Sequence, residues 1–209
     1  MKDDLVQGQA RQGVITFFES LYGPAETNSI HEIVSSEPEI EIHIIKPQDS
    51  CNCITLFTTG MSIAAMNAET GEEDYRYGEL FIQLPATWPV TTDKLRDAKF
   101  GWPVNWLRRI AQFPHLSELS LGPAVILGNS SPEETFAENN QFTGMLAIAE
   151  TSFRRSDDQG IVQLYRLLPL FWDEMQLEKN EGLVALLNAL DDRNVDFVVN
   201  MQRPSSCGF

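Results

Sequence analysis

EIEIHIIKPQDSCNCITLFTTG, residues 39–60, is the stretch on which the fold class turns. From Glu39 to Ile45 apolar and polar residues alternate with period two, so Ile40, Ile42 and Ile44 share one face of a half-buried strand. Pro47 ends that strand, having no N–H for a ladder. Cys53 to Thr59 is a β-branched run, closed by Gly60. Two strands with only a short polar loop between them make a hairpin and leave no room for a crossover helix. Working outward, Tyr77–Leu84 alternates again and stops at Pro85, and Leu121–Leu127, Phe142–Ala149 and Ile161–Leu168 carry further strand patterns. Helical spacing of three and four marks residues 4–22, through Leu5, Val6, Ala10, Val14, Phe17, Phe18 and Leu21, halted by Gly23-Pro24. Thr91 or Thr92 heads a short helix through Ala98, Pro103 suits the first turn of a second that Pro114 stops, and residues 171–190 are helical with a break near Asn180-Glu181-Gly182. Hairpins and helices in this irregular order predict an α+β fold with a mixed sheet flanked by helices, rather than strict βαβ alternation. One domain over residues 1–209 is expected, with a tail that frays from Arg203.

The chain has 209 residues with 15 Lys+Arg against 30 Asp+Glu, a formal net charge of −15. That excess argues against nucleic acid and against an anionic membrane surface as partners, since both are recognised by clustered cations. A 43% hydrophobic content excludes disorder as the main state. No run approaches the roughly 18 uninterrupted apolar residues of a membrane span. Met1-Lys2-Asp3-Asp4 carries acids where a signal peptide needs a basic start, so a cytoplasmic address is expected. Of three cysteines, Cys51 and Cys53 lack the two-residue spacing of a redox or zinc knuckle and are expected as reduced thiols at the start of a strand.

Chemistry-bearing patterns are sparse. His31, His43 and His115 have no second His or Cys at i+3 or i+4, which predicts no metal site. His31 and His43 read as exposed-face strand residues, His115 as a helix terminator. Neither phosphate-cradling glycine motif occurs, so no cofactor is expected. Gly60-Met61-Ser62-Ile63-Ala64 approaches the nucleophile elbow, and the order Ser62, Asp93 or Asp97, His115 fits a serine hydrolase. Ala64 replaces the final glycine, however, and the plainer reading is that Gly60 turns the chain after a strand. The paired carboxylates, among them Glu72/Glu73/Asp74, fall in loops and at helix ends without an apolar pocket to raise a pKa. Trp88, Trp102 and Trp106 cluster with Phe100 and Phe113; such rings belong to a core or to a partner surface.

Read together, Thr58-Thr59-Gly60-Met61-Ser62, Gly78-Glu79-Leu80-Phe81-Ile82-Gln83-Leu84-Pro85, Thr87-Trp88-Pro89 and Gly101-Trp102-Pro103 with Leu107-Arg108-Arg109-Ile110-Ala111 resemble the suppressor of fused domain. Tyr165-Arg166-Leu167-Leu168-Pro169-Leu170 and Glu181-Gly182-Leu183-Val184-Ala185-Leu186-Leu187 extend the resemblance over about residues 25–190. It implies the first lobe of the two-lobed animal proteins, which clamp an extended peptide partly by strand addition and have no known enzyme activity. In that comparison Phe113 stands where animal members carry a peptide-contacting tyrosine, and Pro123 where they carry an acidic contact. Single-lobe bacterial members imply an immunity protein that neutralises a toxin, or alternatively a peptide-binding adaptor. The acid excess suits a basic toxin as partner. Candidate contacts are Phe113, Trp106 and the acidic loop Glu72, Glu73 and Asp74.

Overall fold

A computed structural model describes residues 2–26, 30, 38–49, 51–117, 119–155 and 160–208. Eleven longer elements are described: α1 (Lys2–Tyr22), β1 (Glu41–Ile45), β2 (Cys53–Thr59), β3 (Tyr77–Pro85), α2 (Thr92–Arg96), α3 (Ala98–Ser117), β4 (Ala124–Gly128), β5 (Gly144–Arg154), β6 (Ile161–Leu170), α4 (Trp172–Glu181) and α5 (Leu183–Asp192). The strands form one sheet in the order β1-β2-β3-β6-β5-β4. Every neighbouring pair is antiparallel except β3 and β6, and that parallel pair is reached through α2, α3, β4 and β5. The expected hairpin is β1–β2, with Ile42 opposite Thr58 and Ile44 opposite Leu56.

Helices cover both faces. On one, Val14 and Phe18 of α1 bury Phe57, Phe81, Val162 and Leu164. Beside them Met175, Leu186 and Leu190 of α4 and α5 bury Leu146, Leu168 and Leu170. On the other, Trp102, Trp106, Leu107 and Ile110 of α3 pack on Leu56, Leu80, Ile82, Met145 and Leu167. Burial on both faces explains one departure from expectation. His43, read as an exposed-face residue, is buried because α1 roofs its face: the ring stacks on Phe57 at 5.0 Å and its Nε2 lies 2.9 Å from Thr59 Oγ1. His31 lies outside the described residues.

α3 starts at Ala98, so Pro103 sits inside the helix rather than in its first turn, and Pro114 is followed by three more helical residues. Pro103 cannot donate to the carbonyl four residues back, that of Lys99. Asn139 does so instead, its Nδ2 at 3.2 Å. The second pair of helices breaks at Gly182, as its sequence predicts; a φ of 88° there suits glycine.

Two expectations are corrected. Cys51 and Cys53 are joined as a disulfide, with Cα atoms 5.4 Å apart. Residues i and i+2 of a strand share a face at roughly 6.6 Å, and the turn in which Gln48 and Cys51 exchange backbone hydrogen bonds brings Cys51 in toward its partner. The tail does not fray at Arg203. Its guanidinium is buried, paired with Glu174 of α4 through Nη1 at 2.6 Å and Nη2 at 2.7 Å.

Candidate partner-binding surface

The turn after β2 is where an elbow serine would do chemistry, and it does something else. Gly60 has φ 110°, a conformation glycine adopts without strain, and a Cβ there would collide with the Glu39 carbonyl and the Arg11 guanidinium. The turn closes on Glu79 of β3, a fully buried carboxylate. Thr58 Oγ1 donates to its Oε2 at 2.7 Å, while the Gly60 and Ser62 N–H groups and the Ser62 hydroxyl donate to Oε1 at 3.0, 2.9 and 2.7 Å. Ser62 is 2% exposed. Its hydroxyl proton goes to a carboxylate rather than to a histidine. His115 lines a shallow depression with Ala65 and Asn67, and burial lowers its pKa, opposed by the hydrogen bond its ring donates to the Met61 backbone. Asp93 is exposed on α2, and Asp97 accepts from the Lys99 N–H at 3.0 Å. The hydrolase arrangement is therefore not assembled, and the plainer reading of Gly60 holds. Among the described residues no group of three or more His, Cys, Asp or Glu converges as a metal site would require.

Burial pushes the Glu79 pKa above the ordinary glutamate value, although its hydrogen bonds and Arg11 act the other way. Between the unfolded and the raised folded value, the folded state holds a proton that the unfolded chain has released. Stability from this group therefore falls as pH rises through that window. Glu79→Gln, which mimics the protonated acid, is expected to flatten this slope. Thermal melts should show the variant gaining on the wild type as pH rises above the ordinary glutamate range of about 4.

The far edge of the sheet is unpaired among the described residues. β4 is the terminal strand, and its five residues, Ala-Val-Ile-Leu-Gly, carry no charge. The Ala149 N–H donates to the Pro123 carbonyl at 3.0 Å and the Asn129 N–H to Thr143 at 2.8 Å. With Val125 opposite Ala147 and Leu127 opposite Met145, the peptide groups of 125 and 127 face β5. Those of Ala124, Ile126 and Gly128 face outward, and no strand pairs with them among the described residues. The opposite edge is already covered: the Glu26 and Ile30 N–H groups donate to Ile44 and Ile42 of β1 at 2.7 and 2.8 Å.

The predicted contact residues distribute unevenly around that edge. Glu72 lies beside Gly122, just before β4, its carboxylate 3.5 Å from where a Cβ on Gly122 would stand. Glu73 and Asp74 are exposed in the same loop. Backbone N–H groups of Glu73 itself and of Gly71 lower the Glu73 pKa. Phe113 is half-buried and packs on the same cluster as Val125 and Leu127 of β4. Trp106 is only 5% exposed, against Phe136 at 4.3 Å and under Arg109 at 4.6 Å. Arg109 in turn donates to Asn129 at the end of β4, at 3.2 Å. Trp88 and Trp102 are core residues too. A separate groove of about 480 Å³, lined by Trp88, Pro89, Phe100, Val199 and Met201, presents no free indole donor, since Trp88 Nε1 donates to the Phe100 carbonyl at 3.1 Å. The edge itself was not among the predicted contacts. Its one local signal is an uncharged apolar strand between Pro123 and Asn129.

A suppressor of fused homolog from Neisseria gonorrhoeae superposes with a TM-score of 0.66 at 14% identity, covering 96% of this chain and 98% of that one. The Sufu–Fu complex gives a TM-score of 0.62 at 14% identity, over 95% of this chain and 92% of that one. Drosophila Suppressor of Fused gives 0.54 at 16% identity, over 80% of this chain and 42% of that one. Comparison with curated protein sequences finds no match. No helix among the described residues is long and apolar enough to cross a membrane. At these identities the superpositions establish the fold, and the family model for the suppressor of fused protein, matching residues 36–204, adds the lineage: the chain belongs to the suppressor of fused family.

Proposed function

We propose that the chain is a non-enzymatic binding protein that takes an extended segment of a basic protein onto the open β4 edge, and that this partner is a toxin it neutralises. The observation that carries the reading is the edge itself. Three outward peptide groups on an uncharged strand form a template for strand addition, with no lysine or proline within β4 and no strand paired on its outer side among the described residues. The acidic loop Glu72, Glu73 and Asp74 sits at one end, where it attracts basic residues flanking an incoming strand, and the net charge of −15 raises the association rate of a basic partner. Phe113 adds an aromatic flank from α3. Complex formation by the solved Sufu–Fu pair supports protein binding as the general mode.

The test is co-expression with the product of the adjacent upstream gene. The reading expects that product to arrest growth alone, to be tolerated with this chain, and to co-purify with it. A neighbouring product that is neither toxic nor bound overturns the toxin assignment. Co-purification of a non-toxic cellular protein through the same edge replaces it with the adaptor role.

A further inference from the structure

The face of the sheet shared by α1 and the α4–α5 pair has a polar row between the two helical layers. Thr55 of β2 lies opposite Gln83 of β3, and Arg166 of β6 lies opposite both Phe81 of β3 and Ile148 of β5. Arg166 is 8% exposed, stacked near Phe81 at 4.7 Å and Phe197 at 4.9 Å. Its Nε and Nη2 donate to the Glu150 carboxylate, the latter at 2.7 Å, and its Nη1 donates to Gln83 Oε1 at 2.5 Å. A guanidinium only donates, so the amide oxygen of Gln83 must face it and the NH₂ must face the other way. That way lie Thr55 Oγ1 at 3.5 Å and Cys51 Sγ at 3.7 Å. A buried cation is thus relayed through one amide to one sulfur of the Cys51–Cys53 disulfide.

The disulfide spans a single residue, Asn52. Its removal frees almost no loop, so it contributes little of the chain-entropy stabilisation that structural disulfides supply. The two sulfurs are also unequal: Cys53 is 3% exposed at the start of β2, whereas Cys51 is partly accessible. We propose that Cys51–Cys53 is a thiol–disulfide exchange site, reduced by dithiols, in which Cys51 is the sulfur attacked and Gln83, oriented by Arg166, stabilises its thiolate. In the first step a dithiol's thiolate attacks Cys51 Sγ, forming a mixed disulfide and breaking the bond to Cys53, whose sulfur leaves and takes up a proton. In the second, the dithiol's other thiolate attacks its own mixed-disulfide sulfur and Cys51 leaves as a thiolate that accepts from Gln83 Nε2. Two electrons and two protons pass from the dithiol, which is oxidised to a disulfide, to the Cys51–Cys53 pair, the second proton being taken up when the Cys51 thiolate is protonated. The reciprocal backbone bonds between Gln48 and Cys51 hold the loop after reduction, so the site can be reoxidised in place.

Cys207 is an internal standard, because burial and the charges of Asp173 and Glu174 raise its thiol pKa. The full chain would be equilibrated with oxidised or reduced glutathione, or reduced with dithiothreitol, then alkylated with iodoacetamide and mapped by mass spectrometry. After oxidation only Cys207 should be alkylated. After dithiothreitol all three should be, with Cys51 reacting about ten-fold faster than Cys207 near pH 7. Gln83→Leu should shift the pH–rate midpoint of Cys51 up toward that of Cys207 while leaving Cys207 unchanged. Separate glutathione adducts or free thiols on Cys51 and Cys53 after oxidation, or a Cys51 no faster than Cys207, overturn the proposal. So does a Cys51 profile unmoved by Gln83→Leu. If that variant does not fold, the wild-type rates alone decide.

Discussion

Arg203→Met should cost about 3–5 kcal/mol of unfolding free energy, the penalty of leaving a buried charge without its partner. The charge left behind is Glu174, whose side chain is fully buried and accepts from both Arg203 nitrogens, from the Phe171 N–H at 2.9 Å and from the Ser206 N–H at 2.8 Å. Arg203 also donates to the Pro169 carbonyl at 2.9 Å and lies over the Phe171 and Phe142 rings at 4.6 and 5.4 Å. One pair therefore joins the end of β6, the head of α4 and the C-terminal segment. Arg203→Met with Glu174→Gln should recover a large part of the loss, since an unpaired charge no longer remains; urea unfolding of both variants measures the difference. The pH dependence has the opposite sign to that of Glu79. Burial pushes the Glu174 pKa up, but the Arg203 hydrogen bonds and charge, with the Phe171 and Ser206 N–H groups, outweigh it and hold the value below that of free glutamate. Its stabilisation is present above the unfolded pKa and is lost as pH falls through the folded one, so in Arg203→Met the acid-side loss should be smaller.

Ile126→Pro should weaken partner binding by at least about ten-fold, while Ile126→Ala should retain most of it. The outward N–H of Ile126 is central among the three free positions on β4. Proline removes that donor without touching the ladder to β5, to which residues 125 and 127 contribute. Both substitutions remove the isoleucine side chain, which packs against the α4–α5 cluster. The alanine variant therefore separates lost packing from the lost hydrogen bond. Isothermal titration with the partner recovered by co-expression supplies the two affinities.

How far these features could be read in advance depended on the distance over which each is decided. The strands of residues 39–60 were legible because alternation, Pro47 and Gly60 act locally. So was the break at Gly182. His43 was misplaced because period-two alternation beside Glu41 looks the same whether the polar face meets water or, as here, Phe57 and α1. The disulfide was hidden because a plain strand holds residues i and i+2 too far apart, and only the Gln48–Cys51 turn closes the gap. Arg203 looked like the start of a loose tail because Glu174 stands 29 positions away. Ser62 invited a catalytic reading for the same reason: Glu79, which takes its proton, lies 17 residues downstream on the next strand. The β4 edge was the least legible of all. Its residues read correctly as a strand, but terminal position is a property of the whole sheet order.

Amide hydrogen exchange on the free chain and on its complex with the co-purified product of the adjacent gene, resolved to single residues, reads the occupancy of the β4 edge position by position. The edge account predicts that Ala124, Ile126 and Gly128 exchange rapidly in the free chain and become protected in the complex, while Val125 and Leu127 are protected in both. Protection confined to another surface, with those three amides exchanging as fast in the complex as in the free chain, would contradict it.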